Sequence, residues 1–181
     1  GASAGGVPAG RARRGVSGRR AAGLAWGTAG AAQLAVIEWW PLLLYPEGPE
    51  DNDTMFAASL KLPAGWKHGT ALAAAREAGE AGDSIQFAPV SLVALIDSPV
   101  LAGAFFRTVD LTPGKTPAHF LHIAGDSAAS VQILPEDVAR YERLVAEAYA
   151  LFGARHYESY HFLLSLSDHI ASAGLEPPEP S

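Results

Sequence analysis

The strongest local signal in the sequence is a helix over residues 135–152. Pro135 suits the first helical position, and Gly153 can take the left-handed conformation that closes a helix. Glu136 and Asp137 place negative charge near the positive end of the helix dipole. Apolar side chains recur at three- and four-residue steps, which predicts an amphipathic helix with one face on a core. That face consists of Val138, Tyr141, Val145, Ala148 and Phe152.

Apolar runs flank this helix on both sides. Residues 118–124 have the composition of a strand. Residues 160–166 form a second apolar run, whose pattern alone does not separate strand from helix. We interpret both runs as strands, so the C-terminal third is predicted to be a strand–helix–strand unit.

Between residue 34 and about residue 115, short apolar runs alternate with Gly and Pro. Residues 34–45 are predicted to form two strand pieces with a break at Pro41, since proline cannot continue a central strand. Residues 71–81 are rich in alanine and have helical propensity, which Gly79 limits. The pattern is typical of a β-rich domain. The other predicted strands or short buried elements are residues 56–62, 85–87, 90–96 and 105–111.

The first 33 residues differ in composition from the rest of the chain. They are almost entirely Gly, Ala, Arg, Ser and Pro, and they carry five arginines and no acid. With a net charge of −6 overall, this leaves −11 on residues 34–181. Because so few large apolar side chains cannot offset the entropy of ordering, residues 1–33 are expected to be a disordered arm. A signal peptide and an arginine-rich nucleic-acid arm are the weaker interpretations of this segment.

The composition of the chain bears on which partners it binds and where it is located. The acidic body has no basic stripe with interleaved aromatic residues, so we expect no nucleic-acid partner. Glycines and Gln33 interrupt the most apolar uncharged stretch, residues 21–37, so we expect no membrane partner. These features predict a soluble protein of the cytoplasm or periplasm.

The residues available for metal binding and catalysis are limited. The chain has no cysteine, which excludes disulfides, thiolate zinc sites and a cysteine nucleophile. His119 and His122 are three apart and would lie on opposite faces of a strand, which argues against a shared metal. The consecutive residues 167–169, Ser-Asp-His, cannot face one another as a catalytic triad. The spacing of the remaining histidines predicts no zinc site. They are His68, His156, His161 and His169.

A set of ordered motifs between residues 34 and 176 resembles the glycyl aminopeptidase family of zinc metallopeptidases. No single motif would suffice, and the resemblance rests on their order along the chain. The motifs are PAGWK (63–67), VSLVALIDSPV (90–100), LVAEA (144–148), LFG (151–153), YHFLL (160–164), LSD (166–168) and GLE (174–176).

The resemblance implies an α+β fold, with a β-rich N-terminal domain followed by the first strand–helix–strand elements of a thermolysin-like catalytic domain. It divides the chain into the arm at residues 1–33, a partial β domain at 34–116 and the start of the catalytic domain at 117–181. The family holds zinc with an H-E-x-x-H helix and a later glutamate. This chain contains no H-E-x-x-H. We therefore expect it to bind no catalytic zinc and to be inactive alone, as a fragment of an enzyme that cleaves N-terminal peptide bonds, with small residues such as Gly or Ala preferred.

The resemblance also implies a substrate role for three residues near the C-terminal end. Gly174, Leu175 and Glu176 would lie on the strand that lines the cleft for the peptide substrate, and the carboxylate of Glu176 would bind the substrate's free amino group. The sequence departs from the family pattern directly afterwards, with Pro177 and Pro178. The alternative function is a noncatalytic protein-interaction module. An incomplete sheet would leave an uncovered edge, through which we expect self-association.

Overall fold

The computed structural model describes residues 29–42, 55–76, 84–153 and 156–170. The described chain is rich in short strands and has few helices, which makes it an α+β structure. In chain order the elements are β1 (Ala29–Gly30), β2 (Leu34–Ile37), β3 (Met55–Phe56), β4 (Ser59–Leu60), β5 (Lys67–Gly69), β6 (Ala74–Arg76), β7 (Ile85–Phe87), β8 (Val90–Ser91), α1 (Leu92–Ile96), β9 (Val100–Gly103), β10 (Phe105–Asp110), β11 (Ala118–Gly125), α2 (Pro135–Phe152) and β12 (Ser159–Leu166), with a short 3-10 helix at Trp40–Leu42.

Antiparallel pairing organises the part of the chain before β10. A four-stranded sheet has the order β1-β2-β9-β5, and the smaller sheets β3-β8 and β4-β7-β6 lie beside it. Six buried side chains of this part form an apolar core, in which the indole of Trp39 packs edge to face on Phe87. The Trp39 Nε1–H donates to the carbonyl of Ser98 at 2.8 Å. The buried members of this core are Trp39, Leu72, Ile85, Phe87, Leu95 and Val100.

The C-terminal part is a three-stranded mixed sheet with one long helix. β10 pairs antiparallel with β11, β11 pairs parallel with β12, and α2 forms the crossover between the parallel strands. On one face of this mixed sheet, Val145 of α2 packs in a core with Leu121 and Ile123 of β11. On the opposite face, Ala124 of β11 packs with residues of the four-stranded sheet. The mixed sheet is thus covered by a helix on one side and by the β-rich part on the other.

The predicted strand–helix–strand unit is confirmed at the level of its elements. The helix begins at Pro135 and ends at Phe152, and Gly153 closes it with φ 64° in the left-handed region. The amide of Gly153 donates to the carbonyl of Tyr149 at 3.1 Å. Both flanking runs are strands, and the run at residues 160–166, which the pattern left ambiguous, is strand β12.

The helix predicted over residues 71–81 is wrong where it is described. Ala74–Arg76 is strand β6, paired with β7 in a register that places Ala74 opposite Phe87. Phe87 is buried in the core, so pairing with its strand outweighs the helical propensity of alanine. Residues 77–81 lie outside the described residues.

Three predicted segments are shorter or more broken than expected. Residues 56–62 contribute to two separate strands, because β3 pairs with β8 whereas β4 pairs with β7 in another sheet. At the predicted break, Trp40–Leu42 form a short 3-10 helix, closed by the amide of Leu42 donating to the carbonyl of Trp39, and residues 43–45 lie outside the described residues. Residues 90–96 begin as a strand and become helix α1, which Ser91 caps through its hydroxyl.

The N-terminal arm was expected to reach residue 33, but its last residues contribute to the fold. Strand β1, at Ala29–Gly30, pairs antiparallel with β2. The amide of Ala31 donates to the carbonyl of Leu34, which closes the turn between the two strands. Residues 1–28 lie outside the described residues, and the predicted domain boundaries stay predictions. Over the described ranges, no helix combines the length and apolar character needed to cross a membrane.

Candidate functional site

The residues predicted to bind substrate, Gly174, Leu175 and Glu176, lie outside the described residues. The structure describes the strand that precedes them, β12, and the chain as far as Ile170. The candidate site is therefore built from what β12 and its neighbours present to their surroundings.

A cleft of about 390 Å³ lies alongside β12. Its walls include five consecutive residues of the strand, 159–163, on one side and Asp97, Ser98 and Pro99 at the end of α1 on the other. Because neighbouring residues of a strand point to opposite faces, five consecutive lining residues mean that the cleft faces the backbone edge of β12. Within the described residues, β12 pairs with β11 alone, on the opposite edge.

Two histidines connect this cleft to the interior. His122 of β11 and His161 of β12 approach with Nε2 and Nδ1 2.9 Å apart, and their rings are inclined by only 8°. Thr108 Oγ1 lies 3.0 Å from His122 Nδ1, and Ser159 Oγ lies 3.0 Å from His161 Nε2. We call these four residues the histidine chain. It runs from β10 across β11 and β12 to the wall of the cleft.

The hydrogen bonds of the histidine chain are all satisfied when both rings are neutral. In one arrangement, Thr108 donates to His122 Nδ1, His122 Nε2–H donates to His161 Nδ1, and His161 Nε2–H donates to Ser159. In the reverse arrangement, every proton moves to the other partner. Both arrangements use one ring proton per histidine, so the geometry favours two neutral imidazoles.

Burial lowers the pKa of both histidines. The His122 side chain is 7% exposed, and desolvation, followed by the positive charges of His161 and His68, lowers its pKa to about 4. Desolvation also lowers the pKa of His161. Near neutral pH both rings are uncharged bases, in agreement with the two-neutral hydrogen-bond pattern.

Gly69 of β5 makes room for the His122 ring. A β-carbon built on Gly69 would overlap Cγ and Nδ1 of His122. Phe106 and Phe120 lie on the same side of the mixed sheet, with ring centroids 5.9 and 6.2 Å from that of His122. The imidazole is therefore held between the four-stranded sheet and aromatic side chains.

His119 lies on the opposite face of β11, as the strand periodicity predicts. It is 2% exposed, and its Nε2 lies 2.9 Å from the hydroxyl of Tyr149 on α2 and 3.0 Å from that of Tyr157. The half-exposed ring of Tyr160 stacks on it at 6.3 Å. His119 and His122 thus belong to two separate polar clusters on the two sides of the sheet.

The carboxyl ends of β11 and β12 are joined by hydrogen bonds. Asp126 accepts from the hydroxyl of Ser167 at 3.0 Å and from the amide of Asp168 at 3.2 Å. The amide of His169 donates to the same Ser167 hydroxyl. Ser167 therefore points to Asp126 and not to the two residues that follow it, which agrees with the argument against a triad at residues 167–169. These bonds hold the described end of β12 against the end of β11.

The described residues do not form a site that fits a catalytic zinc ion. The sequence has no H-E-x-x-H segment, and the described part of the chain has no group of three or more His, Asp or Glu side chains placed to hold a metal. At 2.9 Å, His122 and His161 occupy each other's hydrogen-bonding positions.

Sequence patterns did not reveal the histidine chain. Its two imidazoles are 39 residues apart, and the pairing depends on the parallel register of β11 and β12, in which His122 lies opposite Leu163 and diagonal to His161. A signal was available in part, since His122 and His161 interrupt two otherwise apolar strands. An isolated histidine in such a strand indicates a polar partner nearby without identifying it.

The comparisons with known proteins relate the chain to peptidases. Residues 19–104 match the family model of the Peptidase M61 N-terminal domain. Among solved structures, an aminopeptidase N family protein from Idiomarina loihiensis has a TM-score of 0.51 and 18% sequence identity. The match covers 81% of this chain and 27% of that one, so the chain spans about a quarter of its length. At this identity the likeness shows a shared fold. The search of curated proteins gave no match.

Proposed function

We propose that the chain is part of a zinc metallo-aminopeptidase of the glycyl aminopeptidase type. It would contribute the end of the N-terminal β domain and the first sheet elements of a thermolysin-like catalytic domain. The complete enzyme would hydrolyse N-terminal peptide bonds of substrates that begin with small residues such as Gly or Ala. The zinc ion, when bound by the remainder of such an enzyme, would activate the attacking water.

The order of elements along the chain is the observation that carries this proposal. The Peptidase M61 N-terminal match ends at residue 104, and β10 begins at the next residue. The mixed sheet of β10, β11 and β12 with its crossover helix follows directly. A β-rich peptidase domain followed by the start of a mixed sheet is the order expected of this enzyme type.

The structure suggests how these residues would serve such an enzyme. The mixed sheet is a rigid platform, since it is packed on both faces, and the Asp126 hydrogen bonds hold the end of β12. Residues 174–176 follow that end by a few positions. Glu176 would then be placed by a fixed support, which is what a carboxylate needs in order to bind the ammonium group of a substrate with a defined geometry.

A second candidate is a noncatalytic protein-interaction module. The cleft favours it, because the backbone edge of β12 faces open space and could accept an extended segment of another chain. Self-association through this edge would be one form of the same interaction. The two candidates differ in what they require of Glu176, which matters only for binding a free amino group.

The test uses a protein extended by the coding sequence that follows Ser181, as far as an H-E-x-x-H segment. In that protein, Glu176→Gln should lower kcat/KM for Gly- and Ala-anilides about 10- to 100-fold, because the charged hydrogen bond to the ammonium group is worth about 1.5–3 kcal/mol. Glu179→Gln removes a nearby carboxylate that has no proposed role and is the matched control. It should change kcat/KM by less than about twofold.

Two results would contradict the proposal. One is equal activity in the Glu176→Gln and unmodified proteins. The other is a downstream coding sequence without an H-E-x-x-H segment in any frame, in which case the interaction module becomes the better account.

A further inference from the structure

We propose that the histidine chain is an acid-sensitive latch between the mixed sheet and the four-stranded sheet. At neutral pH it would hold β11 against β5. On acidification, the paired imidazoles would take up protons and the contact between these two strands would open. The latch uses residues of the described chain alone.

The geometry of the His122–His161 pair limits how many protons the two rings can bind. A separation of 2.9 Å between His122 Nε2 and His161 Nδ1 leaves room for one hydrogen between the rings. A first added proton can be accommodated, because a charged His122 can donate to Thr108 and to His161 at once. A second cannot, since two N–H groups would then face each other across the same gap. Complete protonation therefore requires the rings to separate.

The surroundings of the pair oppose even the first charge. Phe106 and Phe120 present apolar rings to His122, and the hydroxyls of Thr108 and Ser159 are neutral. The charge of His68 on β5 acts on His122 in the same direction, although the His68 ring packs edge to face on Phe87. On the cleft side, the end of α1 contributes the exposed carboxylate of Asp97, which lines the same cleft as His161.

Because the His122 ring lies against Gly69, protonation of the ring would move β11 relative to β5. The imidazole lies directly on the Gly69 backbone, and Gly69 itself is buried. A charged imidazole must regain water, because an uncompensated buried charge is costly. The cleft that His161 lines offers open space next to the pair. Moving the rings toward it withdraws His122 from Gly69 and loosens β11 from β5.

The pH range of the opening follows from the direction of the pKa shifts. Both histidines have pKa values below their usual 6.5 in the folded protein, so the unfolded or opened state binds more protons in acid. The stabilisation by the latch is complete above pH 6.5. It is lost progressively as the pH falls from 6.5 toward about 4, the pKa of His122.

The first test compares unfolding equilibria between pH 7 and 4 in the unmodified chain and in the double variant His122→Gln/His161→Gln. Glutamine donates and accepts hydrogen bonds but does not titrate in this range. On acidification, the decimal logarithm of the unfolding equilibrium constant should rise more steeply in the unmodified chain than in the double variant. The difference in slope should be up to about two units per pH unit, one for each proton taken up. His156→Gln changes an exposed histidine and should keep the full slope. Equal slopes in the double variant and the unmodified chain would refute the latch.

The second test needs no variant and so stands even if the double variant does not fold. NMR titration of the imidazole Cε1–H signals should show His122 unprotonated at pH 6, and amide exchange should accelerate in β5 and β11 before it does in β7 as the pH is lowered. Protonation of both rings near pH 6.5, with unchanged amide protection of β5 and β11, would overturn the proposal.

Discussion

Replacing Gly69 with alanine should destabilise the protein by about 3 kcal/mol or more, one of the two largest effects we expect from a single substitution. The new β-carbon would occupy the space of the His122 ring, which hydrogen bonds to Thr108 and His161 hold in place. Overpacking a rigid site typically costs about 1–3 kcal/mol, and here the backbone of β5 and a hydrogen-bonded imidazole would both have to move. Urea denaturation at pH 7 measures the loss.

A double-mutant cycle separates this clash from a general intolerance of alanine at position 69. His122→Ala removes the ring that the new methyl group would meet. In that background, Gly69→Ala should cost at least about 2 kcal/mol less than in the unmodified chain. Gly65→Ala is a comparison in open space, where only the positive φ of 80° opposes alanine, at about 1–2 kcal/mol. If the losses of stability caused by Gly69→Ala and His122→Ala were simply additive, the proposed clash between the new methyl group and the His122 ring would be contradicted.

Replacing Leu121 with alanine should cost about 2–5 kcal/mol. Leu121 is fully buried on β11, in the core that joins the mixed sheet to α2. The opposite face of the same strand packs on the four-stranded sheet through Ala124, so the loss should spread to the β-rich part. All four tryptophans lie within the first 66 residues. Three of them, Trp39, Trp40 and Trp66, lie in the described β-rich part, so their fluorescence reports on that part although the substitution lies outside it.

The decisive comparison is between two probes of the same urea titration. Circular dichroism follows α2, and tryptophan fluorescence follows the β-rich part. If both parts unfold as one cooperative unit, Leu121→Ala shifts both transitions equally. Leu151→Ala truncates a side chain of α2 that is 77% exposed, and should change stability by less than about 0.5 kcal/mol. A shift of the dichroism transition alone would show that the two parts are independent.

Local signals were sufficient to predict helix α2 and strand β11, whereas the pattern of residues 160–166 alone did not separate strand from helix. The ends of α2 depend on residues at the ends themselves, Pro135 with its two following acids and Gly153, so no distant contact was needed to place them. The apolar runs on either side of α2 form strands that pack in a core, and β11 is buried along most of its length. The parallel pairing of β11 with β12 follows from the crossover helix between them.

Local signals were insufficient in the β-rich part, where strands of two to four residues carry little pattern. Ala74–Arg76 has helical propensity, yet it pairs with the buried strand that contains Phe87. The break between β3 and β4 depends on their pairing with two different strands, β8 and β7, which lie about 25 to 35 positions further along the chain. Contacts of this range are decided by the assembled core and are not encoded in any short window.

The candidate site likewise has features that local sequence patterns predict and features that depend on distant contacts. The opposite orientations of His119 and His122 were predictable, because strand periodicity alone decides them. The contact between His122 and His161, and the space that Gly69 provides for it, depend on how three strands come together. Gly174, Leu175 and Glu176 stay a prediction that rests on family resemblance and on their position after β12.

These features are the structural basis of the role that we propose for the chain as part of an enzyme. The β-rich part and α2 enclose a small mixed sheet, whose last described strand has its end fixed by Asp126. Such an arrangement would position the following residues for substrate binding, while the zinc ligands would come from a later part of a longer protein.

Zinc content and hydrolysis of Gly- and Ala-anilides, measured in parallel on this chain and on the protein extended past Ser181, test the central claim most directly. We predict that the extended protein binds about one zinc ion per chain and hydrolyses the anilides until a chelator removes the metal. The present chain should do neither. Stoichiometric zinc and zinc-dependent hydrolysis in the present chain, or their absence from an extended protein that contains an H-E-x-x-H segment, would contradict the account.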